Sequence, residues 1–269
     1  MRVAAIDHIH VNVQNLDRAI GLFTALTGSQ YAAAIDIEET RSRYAWNDAG
    51  VDLNHPTSPD SAVAKWIATR GEGVSTIAFG VGGMHDRIAE AEAIGLRLVS
   101  RIGYEGVEDQ AQFHPKDAFG VQVELLERLA GYPERPVDAF HQVVDHVHVY
   151  VEDLSKAVAL FTSLTGHEFS APVATDEIQA RSSINALGLD VIQPTSPDSP
   201  IARAIQRRGE GVHAVALRTA SIEAGIARAQ SAGLKLISQI GYEGVLKQAQ
   251  FHPRDSFGVM VEFVERLTG

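Results

Sequence analysis

Cysteine is absent from the 269-residue chain. That excludes disulfides, thiolate metal ligands and cysteine nucleophiles, so any metal must be held by imidazole and carboxylate. Positive charge is scarce: 23 Lys and Arg stand against 34 Asp and Glu, a formal net charge of -11, and no stretch concentrates the basic residues. Nucleic acid and anionic membrane surfaces are therefore poor partners, since both require cations against phosphates. No apolar run approaches the roughly 20 residues that a membrane-spanning helix needs. The start, MRVAAIDHIHVNV, has no charged segment followed by a long apolar one, so no signal peptide is expected. What is present is an ordinary globular balance, 45% hydrophobic and 21% charged. The default expectation is a cytoplasmic enzyme acting on a small molecule, as a monomer or homodimer.

The chain is written twice. RGEGV occurs at 70–74 and 208–212, PTSPDS at 56–61 and 194–199, GYEGV at 103–107 and 241–245, and QAQFHP at 110–115 and 248–253. Each pair is 138 residues apart, so the copies align without a gap. Asp7-His8-Ile9-His10 matches Asp145-His146-Val147-His148 near the starts, and Val123-Glu124-Leu125 matches Val261-Glu262-Phe263 near the ends. A period this long means two domains of like fold rather than a solenoid. GYPERPVDAF at 131–140, with two prolines and a glycine, reads as the linker between a domain at 1–130 and another at 140–269.

Within the second copy, VVDHVHVYV at 143–151 alternates and is β-branched, as a strand does. Leu154–Thr165 carries apolar residues at helical spacing and stops at Gly166. Short strand-like runs follow near 179–186 and 188–193, then a turn and connecting helix, and a strand at Val212–Arg218. A helix at Ser221–Ala232 and strands near 234–240, 247–252 and 258–264 complete the copy. The fold class is α+β: strand, helix and three strands, repeated to make four βαβββ modules.

Asp145-His146-Val147, the phrase PTSPDSPIARAIQRRGEGVHAVALR at 194–218, and FHPRDSFGVMVEFVE at 251–265 arrive in the order and spacing of a known family. The chain resembles the vicinal oxygen chelate superfamily, which includes glyoxalase I and the extradiol dioxygenases, and within it the methylmalonyl-CoA epimerases. The resemblance implies paired modules whose curved sheets enclose one divalent metal ion, such as Fe, Mn, Co, Zn or Ni. Carried over residue by residue, it implies His146, Asp190, His213 and Glu262 as ligands in the second copy. The corresponding positions of the first copy are His8, Asp52, Ser75 and Glu124. Serine is a poor ligand, so this reading makes the first copy a degenerate, structural domain. A swapped site joining His8 and Asp52 to His213 and Glu262 is the alternative pairing.

Other residues fall near the implied site. His148 and Tyr150 share a strand face with His146 and are candidates for acid/base or supporting roles. Their counterparts are His10 and Asn12. Tyr242 and Glu243, in GYEGV, lie where loops cover the cleft in the superfamily, although the motif stands in both copies. Glu177 lies near the region where epimerases place a carboxylate base, but the best-matching position holds Ser182. His252 and His114, each followed by proline, read as strand-end or phosphate-side features rather than ligands.

Three functions follow from the resemblance. The first is a metal-dependent isomerase, epimerase or lyase working through a stabilised enolate, for which four protein ligands would be fitting. The second is an Fe(II) extradiol-type dioxygenase, which needs two His and one carboxylate. The third is a non-catalytic binder of small molecules.

Overall fold

The computed structural model describes residues 3, 5–104, 108–128, 139–242 and 244–267. The first half runs β1 (Ile6–Asn12), α1 (Leu16–Thr27), β2 (Ile35–Ile37), β3 (Ser42–Ala45), β4 (Val51–Pro56), α2 (Ala62–Arg70), β5 (Gly73–Gly80), α3 (Met84–Ala93), β6 (Leu98–Tyr104), β7 (Glu108–Phe113) and β8 (Gln122–Arg128). A short helix, α4 (Ala139–Val143), leads into the second half. That half runs β9 (Val144–Tyr150), α5 (Leu154–Thr165), β10 (Val173–Thr175), β11 (Ala180–Ile184), β12 (Leu189–Pro194), α6 (Pro200–Arg208), β13 (Gly211–Arg218), α7 (Ile222–Ser231), β14 (Leu236–Tyr242), β15 (Leu246–Phe251) and β16 (Met260–Arg266).

The strands form two eight-stranded curved mixed sheets, ordered β2-β3-β4-β1-β5-β8-β7-β6 and β10-β11-β12-β9-β13-β16-β15-β14. Two βαβββ modules therefore join edge to edge in each sheet, through β1 and β5 or through β9 and β13. β5 and β8, and β13 and β16, run parallel, while β6, β7 and β8, and β14, β15 and β16, pair antiparallel in sequence. The expected α+β architecture of four modules is what the chain adopts. Of the linker segment 131–140, residues 131–138 lie outside the described residues, and its last two, Ala139 and Phe140, open α4. The three-residue strand β10 is too short to leave a periodicity in the sequence.

The helices begin and end for local reasons. Asn15 and Asp153 accept from the N–H three residues on, and Ser61, Ser199 and Ser221 do the same for α2, α6 and α7. Gly28 and Gly166 end α1 and α5 in the left-handed conformation, at φ 75 and 73, where a side chain is disfavoured. Strand alternation then divides each sheet into an apolar and a polar face. In β1, Ile9 and Val11 are wholly buried hydrophobic residues between His8, His10 and Asn12. In β16, Phe263 points toward α7: its ring lies under the Arg228 guanidinium, 4.9 Å to the centroid, and abuts Gly225. Glu262, one residue away, points to the other face.

The chain divides into two compact units. One comprises Met1–Ile9, Ser75–Ala139 and His148–Val212. The other comprises His10–Val74, Phe140–Val147 and His213–Gly269. Each unit draws one module from each half of the sequence, and the divisions pass through β1 and β9.

Candidate metal centre

The strand order places the four positions implied by the resemblance on four adjacent strands: β4, β1, β5 and β8 in the first copy, β12, β9, β13 and β16 in the second. Polar side chains on the face away from the helices come together there. His8, His10 and Asp52 offer ligand atoms all within 4.8 Å of one another, and so do His146, His148 and Asp190. His8 Nε2 lies 3.4 Å from Glu124 Oε1. His148 Nδ1 lies 3.2 Å from Asp190 Oδ2. Two ligands about 2.1 Å from one ion, at right angles, sit roughly 3 Å apart. The spacings and the donor chemistry thus fit a borderline divalent ion. Asp190 Oδ1 adds to the fit: it is a buried carboxylate oxygen with no hydrogen-bond partner among the described residues.

The first histidine of each cluster is braced from behind. His146 Nδ1 donates to Asp145 Oδ1 at 2.8 Å, and His8 Nδ1 donates to Asp7 Oδ1 at 2.8 Å. A carboxylate on Nδ1 fixes the tautomer and turns Nε2 toward the cluster, the arrangement that supports many metal-bound imidazoles. The carboxylates are held in turn by arginine. Arg128 forks onto Asp7 at 2.8 and 3.1 Å, and Arg266 onto Asp145 at 2.6 and 2.8 Å. Arg218 adds a second guanidinium 3.0 Å from Asp145, where the first copy has Gly80. Burial pushes both carboxyls up, but the hydrogen bonds and positive charge of the neighbouring imidazole and guanidinium outweigh it. Asp7 and Asp145 are held well below the usual carboxylate range.

Glu262 is buried on β16, and Gln248 and Gln250 of β15 both donate to it, Gln250 at 3.0 Å. Glu124 receives Gln112 at 2.8 Å in the same way. A carboxylate taken out of water needs such donors.

His213 is placed differently from the rest. Parallel partners in a ladder share a face, and Glu262 is paired with Ala216, so Ala214 and Ala216 point with Glu262. His213 shares its face with Leu217, the partner of Phe263, on the α7 side. It is buried and is not a member of the His146, His148, Asp190 cluster. The first copy repeats the pattern. Thr76, not Ser75, lies beside Gln122, and its hydroxyl is 3.2 Å from Gln122 Oε1. The position facing the cluster on the fifth strand of each half is thus Thr76 or Ala214. The offset arises because the phrases GVST and GVHA show two adjacent candidates, and the cross-strand register that separates them leaves no trace in one sequence.

The remaining candidates separate clearly. His148 and Tyr150 are buried and alternate with the apolar residues of β9, on the face of His146. Glu177 is exposed, in a 3-10 turn at Asp176–Ile178. Ser182 faces the cluster side, since Ile184, two residues on, is paired with Asp190. Tyr242 ends β14 opposite Leu246; its side chain and Glu243 lie outside the described residues. His252 and His114 cap 3-10 turns, accepting the N–H of Arg254 and Lys116.

Two residues absent from the sequence reading matter. In the first copy Tyr44 Oη donates to Asp52 Oδ2 at 2.5 Å, and Asn54 Nδ2 donates to His10 Nδ1 at 2.8 Å. Their counterparts 138 residues on are Ser182 and Ile192. A comparison of the two copies position by position on alternating strand residues was the available signal.

Comparison with known proteins agrees with this architecture. Two profiles described as the glyoxalase/bleomycin resistance protein/dioxygenase superfamily match residues 5–125 and 145–251. Mitochondrial methylmalonyl-CoA epimerase of Homo sapiens is 30% identical over 127 residues, covering 44% of this chain and 71% of that protein. A triple mutant of 4-hydroxymandelate synthase from Streptomyces coelicolor superposes with a TM-score of 0.76 over 99% of this chain and 93% of its own, at 16% identity, a likeness of fold. A Streptomyces coelicolor methylmalonyl-CoA epimerase variant in complex with 2-nitronate-propionyl-CoA is 32% identical and covers 48% of this chain and 96% of its own, with a TM-score of 0.44. With both halves matched by that family, the chain belongs to the glyoxalase/bleomycin resistance protein/dioxygenase superfamily.

Proposed function

We propose that the protein is a metal-dependent enzyme of the isomerase, epimerase or lyase type, working at His146, His148, Asp190 and Glu262. The observation that carries the reading is the convergence of His146, His148 and Asp190 ligand atoms within 4.8 Å, behind a histidine braced by Asp145. Two imidazoles and two carboxylates suit a borderline divalent ion with positions left for substrate. When bound, the ion supplies a Lewis acid that holds a substrate oxygen and stabilises negative charge as a proton leaves the adjacent carbon. The chain's own residues do the rest. Asp145 holds the His146 ring in one orientation. Gln248 and Gln250 orient Glu262. Tyr150, buried on the same strand face, is the nearest phenol along β9 to carry a proton.

The 30% identity to methylmalonyl-CoA epimerase supports this class of chemistry and makes an acyl-CoA ester one substrate to try. A specific observation favours a second reading: His146, His148 and Asp190 alone make a two-histidine, one-carboxylate set, the number used by non-haem iron oxygenases.

The test is to purify the protein without added metal, measure bound metals, and follow solvent deuterium exchange at the carbon next to a thioester or ketone carbonyl. Exchange that depends on the bound ion and fails in His148→Ala supports the isomerase reading. Oxygen uptake with a catechol, together with bound iron, would move the assignment to the dioxygenase. Absence of any bound or bindable divalent ion would overturn both.

A further inference from the structure

We infer that two residues on the first sheet, Tyr44 and Asn54, keep the first copy's cluster from binding the ion that the second copy takes, and that Ser182 and Ile192 open the second. This rests on the metal-centre reading above.

The two clusters share their histidines and carboxylates at the same strand positions; besides Thr76 against Ala214 on the fifth strand, they differ in the side chains that reach those ligand atoms. In the second copy, His148 Nδ1 and Asp190 Oδ2 face each other at 3.2 Å. In the first copy the equivalent two atoms are each claimed by a neighbour. Asn54 Nδ2 donates to His10 Nδ1 at 2.8 Å, and Tyr44 Oη donates to Asp52 Oδ2 at 2.5 Å. The other oxygen of Asp52 faces the Asn47 N–H at 3.4 Å, whereas Asp190 Oδ1 has no hydrogen-bond partner among the described residues. Tyr44 also leans over His10, with ring centroids 5.8 Å apart. An ion entering the first cluster through His10 Nδ1 would have to displace the Asn54 amide from that nitrogen's single lone pair and compete with the Tyr44 phenol for Asp52 Oδ2. Both are hydrogen bonds whose loss leaves buried groups unpaired. Isoleucine at 192 has no donor to offer His148, and the serine hydroxyl at 182 ends far short of where a tyrosine hydroxyl reaches.

The register supports the exchange. Tyr44 is paired with Asn54 across β3 and β4, and Ser182 with Ile192 across β11 and β12. Each pair of substitutions is thus one cross-strand contact, replaced as a unit between the copies.

The test uses the full chain and Co2+ alone, whose visible absorption reports its coordination. Wild type is expected to bind one ion per chain with a single affinity. Exchanging the first pair, Tyr44→Ser with Asn54→Ile, is expected to give a second ion per chain. Tyr44→Phe, which keeps the ring and removes only the hydroxyl, should give a weaker second site and guards against misfolding of the double variant. The reverse exchange, Ser182→Tyr with Ile192→Asn, should weaken the original site at least about tenfold, the scale of one hydrogen bond to a charged group. If wild type takes one ion and neither exchange changes number or affinity, the inference fails while the metal-centre reading stands. If wild type takes two equal ions, the inference also fails. If it takes none, both fail.

Discussion

Asp145 is the residue on which the second cluster's geometry turns. Its carboxylate receives His146 Nδ1 and two guanidiniums, Arg266 and Arg218, so Asp145→Asn removes the charge that holds all three. Loss of such a support costs metal sites about 10- to 100-fold in affinity, which a Co2+ titration of the variant should show. The same substitution has a signature in pH. A carboxyl whose folded pKa lies below its unfolded value stabilises the fold fully above the ordinary carboxylate range near 4, and the contribution fades as pH falls toward the folded value. Urea unfolding between pH 6 and pH 3 should therefore show wild type losing stability more steeply below about pH 4 than Asp145→Asn does. A parallel slope would remove Asp145 from the account. At this scale the family resemblance, carried over residue by residue, named His146, Asp190 and Glu262, the residues retained in the proposed metal centre. The resemblance also named His213 as a ligand and left His148 a candidate for an acid/base or supporting role; the register that sets His213 on the face of Leu217 is a property of pairing and not of spacing. His213→Ala is accordingly expected to leave Co2+ affinity within about twofold of wild type.

At the level of elements, the strands and helices were readable because their periods and caps are local. Leu154–Thr165 is a helix at the expected residues, bounded by Asp153 and Gly166. What spacing cannot give is how elements press on one another. Gly225 on α7 is an example: a Cβ there would meet Phe263 Cγ at 3.0 Å. The first copy holds Arg87 and Leu125 at the same two places, so the small residue and the large ring go together. Gly225→Val should overpack this contact and cost about 1–3 kcal/mol in chemical denaturation. Phe263→Leu added to it should recover part of that loss, and strictly additive effects would mean the two do not touch. The cap at Asp153 offers an independent measure: Asp153→Ala should cost about 1 kcal/mol, since Asp153 accepts the Lys156 N–H at 3.1 Å.

For the whole molecule, the duplication explains why two near-identical clusters occur in one chain. The sequence made the copies unequal through Ser75 and His213. The proposed difference lies elsewhere, in Tyr44 and Asn54, which hydrogen-bond Asp52 and His10, against Ser182 and Ile192. Tyr44 and Asn54 lie in no family motif, and their contacts with Asp52 and His10 arise only when the strands bring them together. The central claim is that one ion binds per chain, held by His148 rather than His213. The most direct measurement is metal content and Co2+ affinity of wild type, His148→Ala, His213→Ala and His10→Ala. The account predicts one ion per chain, lost on substitution of His148 and retained in the other two. Retention in His148→Ala with loss in His213→Ala would contradict it.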